Sequence, residues 1–130
     1  MKILARFRTS QSGAAALEFA IVSLLMVVVC VGVVEFGRGL NVRSKMSYAA
    51  DLGARKVLIN ASISDSQIET AVRAAFTGAD ASLLQVQISQ ETVGGISYRT
   101  LAVSYPFNPL IPNISIGQIN IKVNRRVLGQ

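Results

Sequence analysis

The sequence has no histidine and no tryptophan, and its only cysteine is Cys30. A histidine general base and histidine-ligated metal sites are therefore excluded, as are multi-cysteine zinc sites and disulfides within the chain. Charged residues make up only 15% of the 130 residues and hydrophobic residues 51%, which is too apolar for a disordered chain. The length and composition predict one small folded domain, alone or with an appendage.

The apolar residues are concentrated near the N-terminus. Residues 19–34 carry no charge, and the longer run 14–34 has a single interruption, Glu18. As a helix, 21 residues span roughly 31 Å, about the thickness of a bilayer core. The preceding basic residues, with no acid among them, favour a cytoplasmic N-terminus. We therefore expect a transmembrane helix over residues 14–35. The simplest interpretation of this helix is an uncleaved signal anchor.

Glu18 requires an explanation because it lies inside the apolar run. A charged side chain in hydrocarbon costs about 2.5–3.5 kcal/mol on insertion scales, and less near the interface. Glu18 is therefore either an interfacial residue of no consequence or a carboxylate with a partner inside the membrane.

The residues on either side of Glu18 resemble a type IV prepilin processing site. The sequence SGAAALEF places Gly13 after a basic leader and Glu18 five residues later, directly before the hydrophobic helix. The resemblance implies that a prepilin peptidase removes the leader, residues 1–13, by cleaving between Gly13 and Ala14. It also implies that Glu18 pairs with the new α-amino group of a neighbouring subunit, which would set the register of the assembled subunits.

Several further stretches resemble the TadE-like pseudopilins of the tight-adherence (Tad/Flp) pilus system. Glu18-Phe19 is the acidic–aromatic pair of that branch, although Tyr is common where Phe19 stands. Three further stretches resemble the same family. They are the membrane-exit motif VVEFGRGL, the small-residue helix MSYAADLGAR and the C-terminal stretch VSYPFNPLIP. The motif residues are Glu35, Phe36, Gly37 and Arg38, of which the first and last are spaced to form an i, i+3 pair.

The resemblance implies a structural minor pseudopilin that helps to assemble a pilus used in surface adherence. Its implied partners are the prepilin peptidase, other Tad/Flp pilins and pseudopilins, and an inner-membrane assembly platform. It would cross a bacterial inner membrane once, with its C-terminal domain outside the cytoplasm. The alternatives are a type II secretion or type IVa-like pseudopilin, which Ala14 in place of Phe disfavours, and an unprocessed, signal-anchored periplasmic interaction domain.

The rest of the chain predicts an α+β fold, with two helices packed on a small three-stranded antiparallel sheet. Apolar residues at helical spacing continue the first helix to about residue 58, with one face made of Val42, Met46, Ala49, Ala50, Gly53 and Val57. A second helix, over about 65–77, is capped by Ser64 or Ser66 and closed by Gly78. Residues 36–130 form this extracytoplasmic domain, with strands expected at about 83–90, 97–105 and 117–127.

Local patterns add finer predictions about this domain. Gly94-Gly95 indicates a hairpin turn, and Pro106 begins a loop that ends the second strand. Asp51 and Arg55 are spaced to form a surface ion pair. Lys122, Arg125 and Arg126 are expected to form a solvated, charged strand edge.

No arrangement of residues predicts catalysis. No nucleophile, acid–base pair, phosphate loop or metal-ligand cluster is recognisable, so we expect no enzyme activity, cofactor or metal. The basic residues lack the interleaved aromatics of a nucleic-acid platform, which argues against that partner. Anionic membrane lipid is a possible partner for Arg38, Arg43 and Lys45.

Overall fold

The computed structural model describes residues 12–109 and 117–129. Most of the expected leader, including its basic residues, lies outside this range, as does the segment around Pro112. Helix α1 (Ser12–Ile59) is followed by helix α2 (Asp65–Ala75), a short 3-10 helix (Ala81–Leu83) and strands β1 (Gln85–Val93), β2 (Ile96–Phe107) and β3 (Ile119–Leu128). The chain divides after Phe36 into two compact units, which are described separately below.

The second unit has the α+β architecture expected from the sequence. Its three strands form one antiparallel sheet in the order β1-β2-β3. Side chains from the α1 and α2 helices and from one face of the sheet form the core, in which Met46, Ile68, Leu101 and Val103 are completely buried. The prediction of two helices on a three-stranded antiparallel sheet is therefore confirmed.

The C-terminal half of α1 packs through the predicted face. Met46, Ala49 and Ala50 are fully buried, and Val57 is nearly so. Gly53 allows the closest approach: a Cβ atom there would lie 2.5 Å from Cγ2 of Val72 and 3.0 Å from Cδ2 of Leu101. A side chain at this position would push α1 away from both α2 and the sheet.

Helix α2 begins as predicted and ends earlier than predicted. Ser64 accepts a hydrogen bond from the backbone N–H of Gln67, whose side chain accepts one from the backbone N–H of Ser64, which completes a capping box. The helix ends at Ala75, because Phe76 turns to an extended conformation and packs its ring 5.5 Å from that of Tyr105. Gly78 therefore lies in the following loop, at φ 79°, and does not close the helix.

The β1–β2 turn is the predicted two-residue hairpin. Val93 pairs with Ile96 across Gly94 and Gly95, which both have positive φ, at 61° and 80°. This is the conformation that tight hairpins need and glycine adopts without strain.

The prediction that Pro106 begins a loop is wrong. Pro106 lies within β2 and is paired with Asn120 of β3. Strand β1 reaches only as far as the pair Gln85–Ser104, so β2 is an edge strand at Pro106. A proline, which lacks the N–H donor, is tolerated at such an edge.

Asp51 does not form the expected pair with Arg55. In the described part of the chain its carboxylate instead accepts hydrogen bonds from the guanidinium of Arg125 on β3. Arg125 also donates to the hydroxyl of Ser47, at 2.5 Å. The hydrogen bond to Asp51 raises the pKa of Arg125. The pair joins α1 to β3.

The three basic residues of β3 do not form one charged edge as predicted. Arg125 shares its parity along the strand with the buried Val123 and reaches α1, whereas Lys122 and Arg126 lie on the opposite face of the sheet. There the guanidinium of Arg126 lies 4.1 Å from the ring centroid of Tyr98 and 3.3 Å from the carboxylate of Glu91. The basic residues are thus divided between two faces.

Candidate processing and assembly site

The Gly13–Ala14 bond lies in the first turn of α1, which begins at Ser12. No protein atom outside the local backbone lies within 4 Å of a Cβ placed on Gly13, and Ala14 is exposed. On the side of the bond that the structure describes, the side chains therefore leave the backbone open.

Glu18 lies one helical turn after Ala14, on the same side of α1. Its side chain is exposed, and it has no hydrogen-bond or ion-pair partner in the described part of the chain. The neighbouring Phe19 is 74% exposed. A carboxylate and an aromatic ring thus project side by side from a helix surface that is otherwise made of small and aliphatic side chains.

The apolar part of α1 that follows has no core of its own. Its large side chains are exposed all round the helix, including Val22, Leu24 and Met26. The Ser23 hydroxyl donates a hydrogen bond within this helix, to the carbonyl of Ala20 at 3.0 Å. Within the described residues, α1 is the one helix long and apolar enough to cross a membrane. These features are consistent with a single-pass membrane anchor.

The membrane-exit residues lie further along the same helix. Glu35 is buried, at 8% exposure, whereas Phe36 is 69% exposed. Gly37 has open space where a Cβ would lie, and the Arg38 guanidinium lies 5.5 Å from the ring centroid of Phe107. The helix runs without interruption through the glycines at 32, 37 and 39.

The structure does not bring the two groups of predicted site residues together. Glu18 and Glu35 are 17 residues apart in one continuous helix, which corresponds to roughly 25 Å along its axis. The group at Gly13, Ala14, Glu18 and Phe19 and the group at the membrane exit therefore form separate surfaces. The described residues contain no cluster of three or more side chains able to hold a metal ion.

The structure separates the three basic residues that were grouped as lipid contacts. Arg38 and Lys45 line one pocket of the second unit, and Arg43, between them in sequence, does not. The pocket is completed by Gly78 and Asn108 from two distant loops. Helical spacing alone indicates that Arg38 and Lys45 share a face, but nothing in the sequence indicated these loop residues.

The apolar helix, which is long enough to cross a membrane, and the small α+β domain are consistent with a membrane anchor followed by a compact domain. Residues 13–55 match the family model described as TadE-like protein, which confirms the resemblance over this part of the chain. The match begins at Gly13 and lies entirely within α1. It suggests a protein associated with a Tad pilus. No curated protein and no solved structure matches the chain.

Proposed function

We propose that this chain is a minor pseudopilin of a Tad/Flp pilus, a structural subunit that a prepilin peptidase matures. The observation that carries the proposal is the match to TadE-like proteins, which starts at the glycine where the prepilin pattern places the cleavage. The exposed apolar helix behind it supports a membrane-embedded precursor. Tad/Flp pilins and an inner-membrane assembly platform would then be its partners.

The processing step is the one that the prepilin pattern at Gly13 and Ala14 predicts. With the N-terminus in the cytoplasm, the peptidase extends the backbone around Gly13 and hydrolyses the peptide bond to Ala14. Small side chains on both sides of this bond leave the carbonyl carbon open to attack. The products are the leader and a mature chain with a positively charged amino group on Ala14.

The assembly step uses the carboxylate of Glu18. It has no partner among the described residues, and an unpaired charge in hydrocarbon is costly. The α-amino group of a neighbouring mature subunit neutralises it and fixes the axial position of one helix against the next. The α+β domain remains outside the cytoplasm and contacts the other minor subunits.

The deciding experiment is mass spectrometry of the mature N-terminus in native membranes, with and without the prepilin peptidase. We expect a chain that starts at Ala14 only when the peptidase is present. A chain that starts at Met1 in both strains would contradict the proposal and leave an unprocessed signal anchor.

The assembly role has its own test. Glu18→Ala and the nearly isosteric Glu18→Gln are expected to abolish pilus assembly while cleavage at Gly13 continues, because both remove the charge. Ser23→Ala, on the same helix, is the matched control and should assemble normally, since its hydroxyl contacts only the local backbone. Normal assembly by Glu18→Gln would show that the charge is not needed.

A further inference from the structure

An open pocket of about 340 Å³ lies in the second unit, between α1, the loop after α2 and the end of β2. Its polar side chains are two cations, two amides and Tyr105, and none of its described lining residues is acidic. The lining includes Arg38, Asn41, Lys45, Gly78, Phe107 and Asn108.

Lys45 is held in this pocket by the shape of the loop after α2. Its Nζ, Cε and Cδ atoms all lie within 4 Å of the point where a Cβ of Gly78 would stand, and the ammonium group would overlap that Cβ. Gly78 has a φ of 79°, which also favours glycine. The end of the Lys45 side chain therefore packs against the loop at Gly78, although the charged ends of lysine side chains usually remain in water.

This ammonium group has no carboxylate within 4.0 Å and no hydrogen-bond acceptor in the described part of the chain, although Lys45 is half-buried. Partial burial of a charge is unfavourable unless a group of opposite charge or a hydrogen-bond acceptor compensates it. The pocket thus has a half-buried cation beside Gly78 and open space next to it for an anion.

Arg38 supplies a second cation at the other end of the pocket. It precedes Lys45 by seven residues, two helical turns or roughly 10 Å along α1, so both side chains leave the same face. Its guanidinium lies over the ring of Phe107 at 5.5 Å, which orients it. Asn41, which lies between the two cations on α1, and Asn108 add amide hydrogen-bond donors to the lining.

We propose that this pocket binds a phosphate group, free or as the head group of an anionic lipid. A phosphate has several acceptor oxygens in a tetrahedral arrangement, and the pocket is lined by donors from two different segments, α1 and the chain just after β2. The lipid source is chemically reasonable because Arg38 follows the uncharged run 19–34 by only four residues, and such basic positions attract anionic head groups.

The test uses the full-length protein in lipid nanodiscs and follows its thermal unfolding temperature. Inorganic phosphate is titrated into phosphatidylcholine nanodiscs, against sodium chloride at equal ionic strength. In parallel, nanodiscs are prepared with increasing fractions of phosphatidylglycerol. We expect a saturable rise in at least one series, because a ligand that binds only the folded state stabilises it. A rise with inorganic phosphate identifies free phosphate as a ligand, and a rise with phosphatidylglycerol alone identifies the lipid.

Two pocket variants and one matched control decide whether the pocket is responsible. Lys45→Gln should raise the half-saturating concentration about tenfold or more, as expected when a charge-assisted hydrogen bond is lost. Asn108→Asp keeps the side-chain shape and should abolish binding by adding a negative charge. Arg43→Gln removes a charge from α1 outside the pocket and should change binding less than about twofold.

The proposal is overturned if neither series gives a saturable rise with the wild-type protein. It is also overturned if Arg43→Gln weakens binding as much as Lys45→Gln does, since that would be a general effect of surface charge. Circular dichroism of each variant checks the fold. Should Lys45→Gln not fold, Asn108→Asp alone decides the outcome.

Discussion

The two halves of α1 use apolar residues in opposite ways. In the first unit, Leu24 and Met26 are 65% and 64% exposed, and exposed apolar side chains surround the helix. In the second unit, Met46 and Val57 are at 0% and 1% exposure, and buried residues form a single stripe. One continuous helix therefore changes from an all-round apolar surface to an amphipathic one.

The difference reflects what each half of the helix packs against. A stripe is what a helix needs when it packs on a sheet and another helix, and the second unit supplies both. An all-round apolar surface has no such partner in the described residues of the first unit, and it is the pattern of a helix that lipid or other apolar helices surround. The stability of the second unit should therefore depend on its packed stripe and not on the first unit's side chains.

The largest expected effect comes from making the same substitution in both regions. Leu101→Ala removes a completely buried side chain from the central strand and should destabilise the second unit by about 2–5 kcal/mol. Leu24→Ala should leave its stability nearly unchanged. Urea unfolding of the full-length protein in detergent, followed by hydrogen exchange of β2, measures both. Equal losses of stability in the two variants would contradict the difference between the two regions.

Smaller changes in stability, of opposite sign to each other, are expected when two glycines of α1 are replaced by alanine. Gly53→Ala places a Cβ against Val72 and Leu101 and should cost about 1–3 kcal/mol. Gly37→Ala meets open space and should stabilise the helix by about 0.5–1 kcal/mol. The same unfolding measurement applies, and a stabilising Gly53→Ala would show that the helix does not approach the sheet closely.

The link between α1 and β3 should contribute less. A double-mutant cycle of Asp51→Asn and Arg125→Met is expected to give a coupling of about 0.2–1 kcal/mol, because both side chains are partly exposed, at 57% and 35%. The control cycle pairs Asp51→Asn with Arg55→Met and should show no coupling. Coupling to Arg55 instead would favour the helical i, i+4 pair over the link to the sheet.

The smallest effect concerns pH and the 3-10 helix before β1. Hydrogen bonds from the side chain and backbone of Ser82 hold the pKa of Asp80 below its ordinary value of 3.8. A carboxylate whose pKa is lowered by folding stabilises the folded state above its unfolded pKa and loses this effect as the pH falls through the folded pKa. Wild-type protein should therefore lose slightly more thermal stability than Asp80→Asn between pH 5 and about pH 3. Identical profiles would contradict this role of Asp80.

Local patterns in the sequence predicted the elements whose causes are local. The buried stripe of α1, the Ser64 cap and the Gly94-Gly95 turn each depend on residues within a few positions of one another, and all three are present. The early end of α2 could not be found this way, because Phe76 leaves the helix to reach Tyr105, 29 residues further on. The prediction for Pro106 was wrong for the same reason. Whether a proline is tolerated in β2 depends on where the neighbouring strand β1 begins, which is not a local property of the sequence.

The sequence by itself determined that an apolar helix continues into a small α+β domain, and it placed Gly13, Ala14 and Glu18 at the head of that helix. Periodicity and local turn chemistry are sufficient for this, because they depend on neighbouring residues. Tertiary structure alone decided that Asp51 pairs with Arg125 and that Lys45 rests on Gly78. These contacts join residues 74 and 33 positions apart, and only the packing of helix, loop and sheet brings such residues within reach of each other.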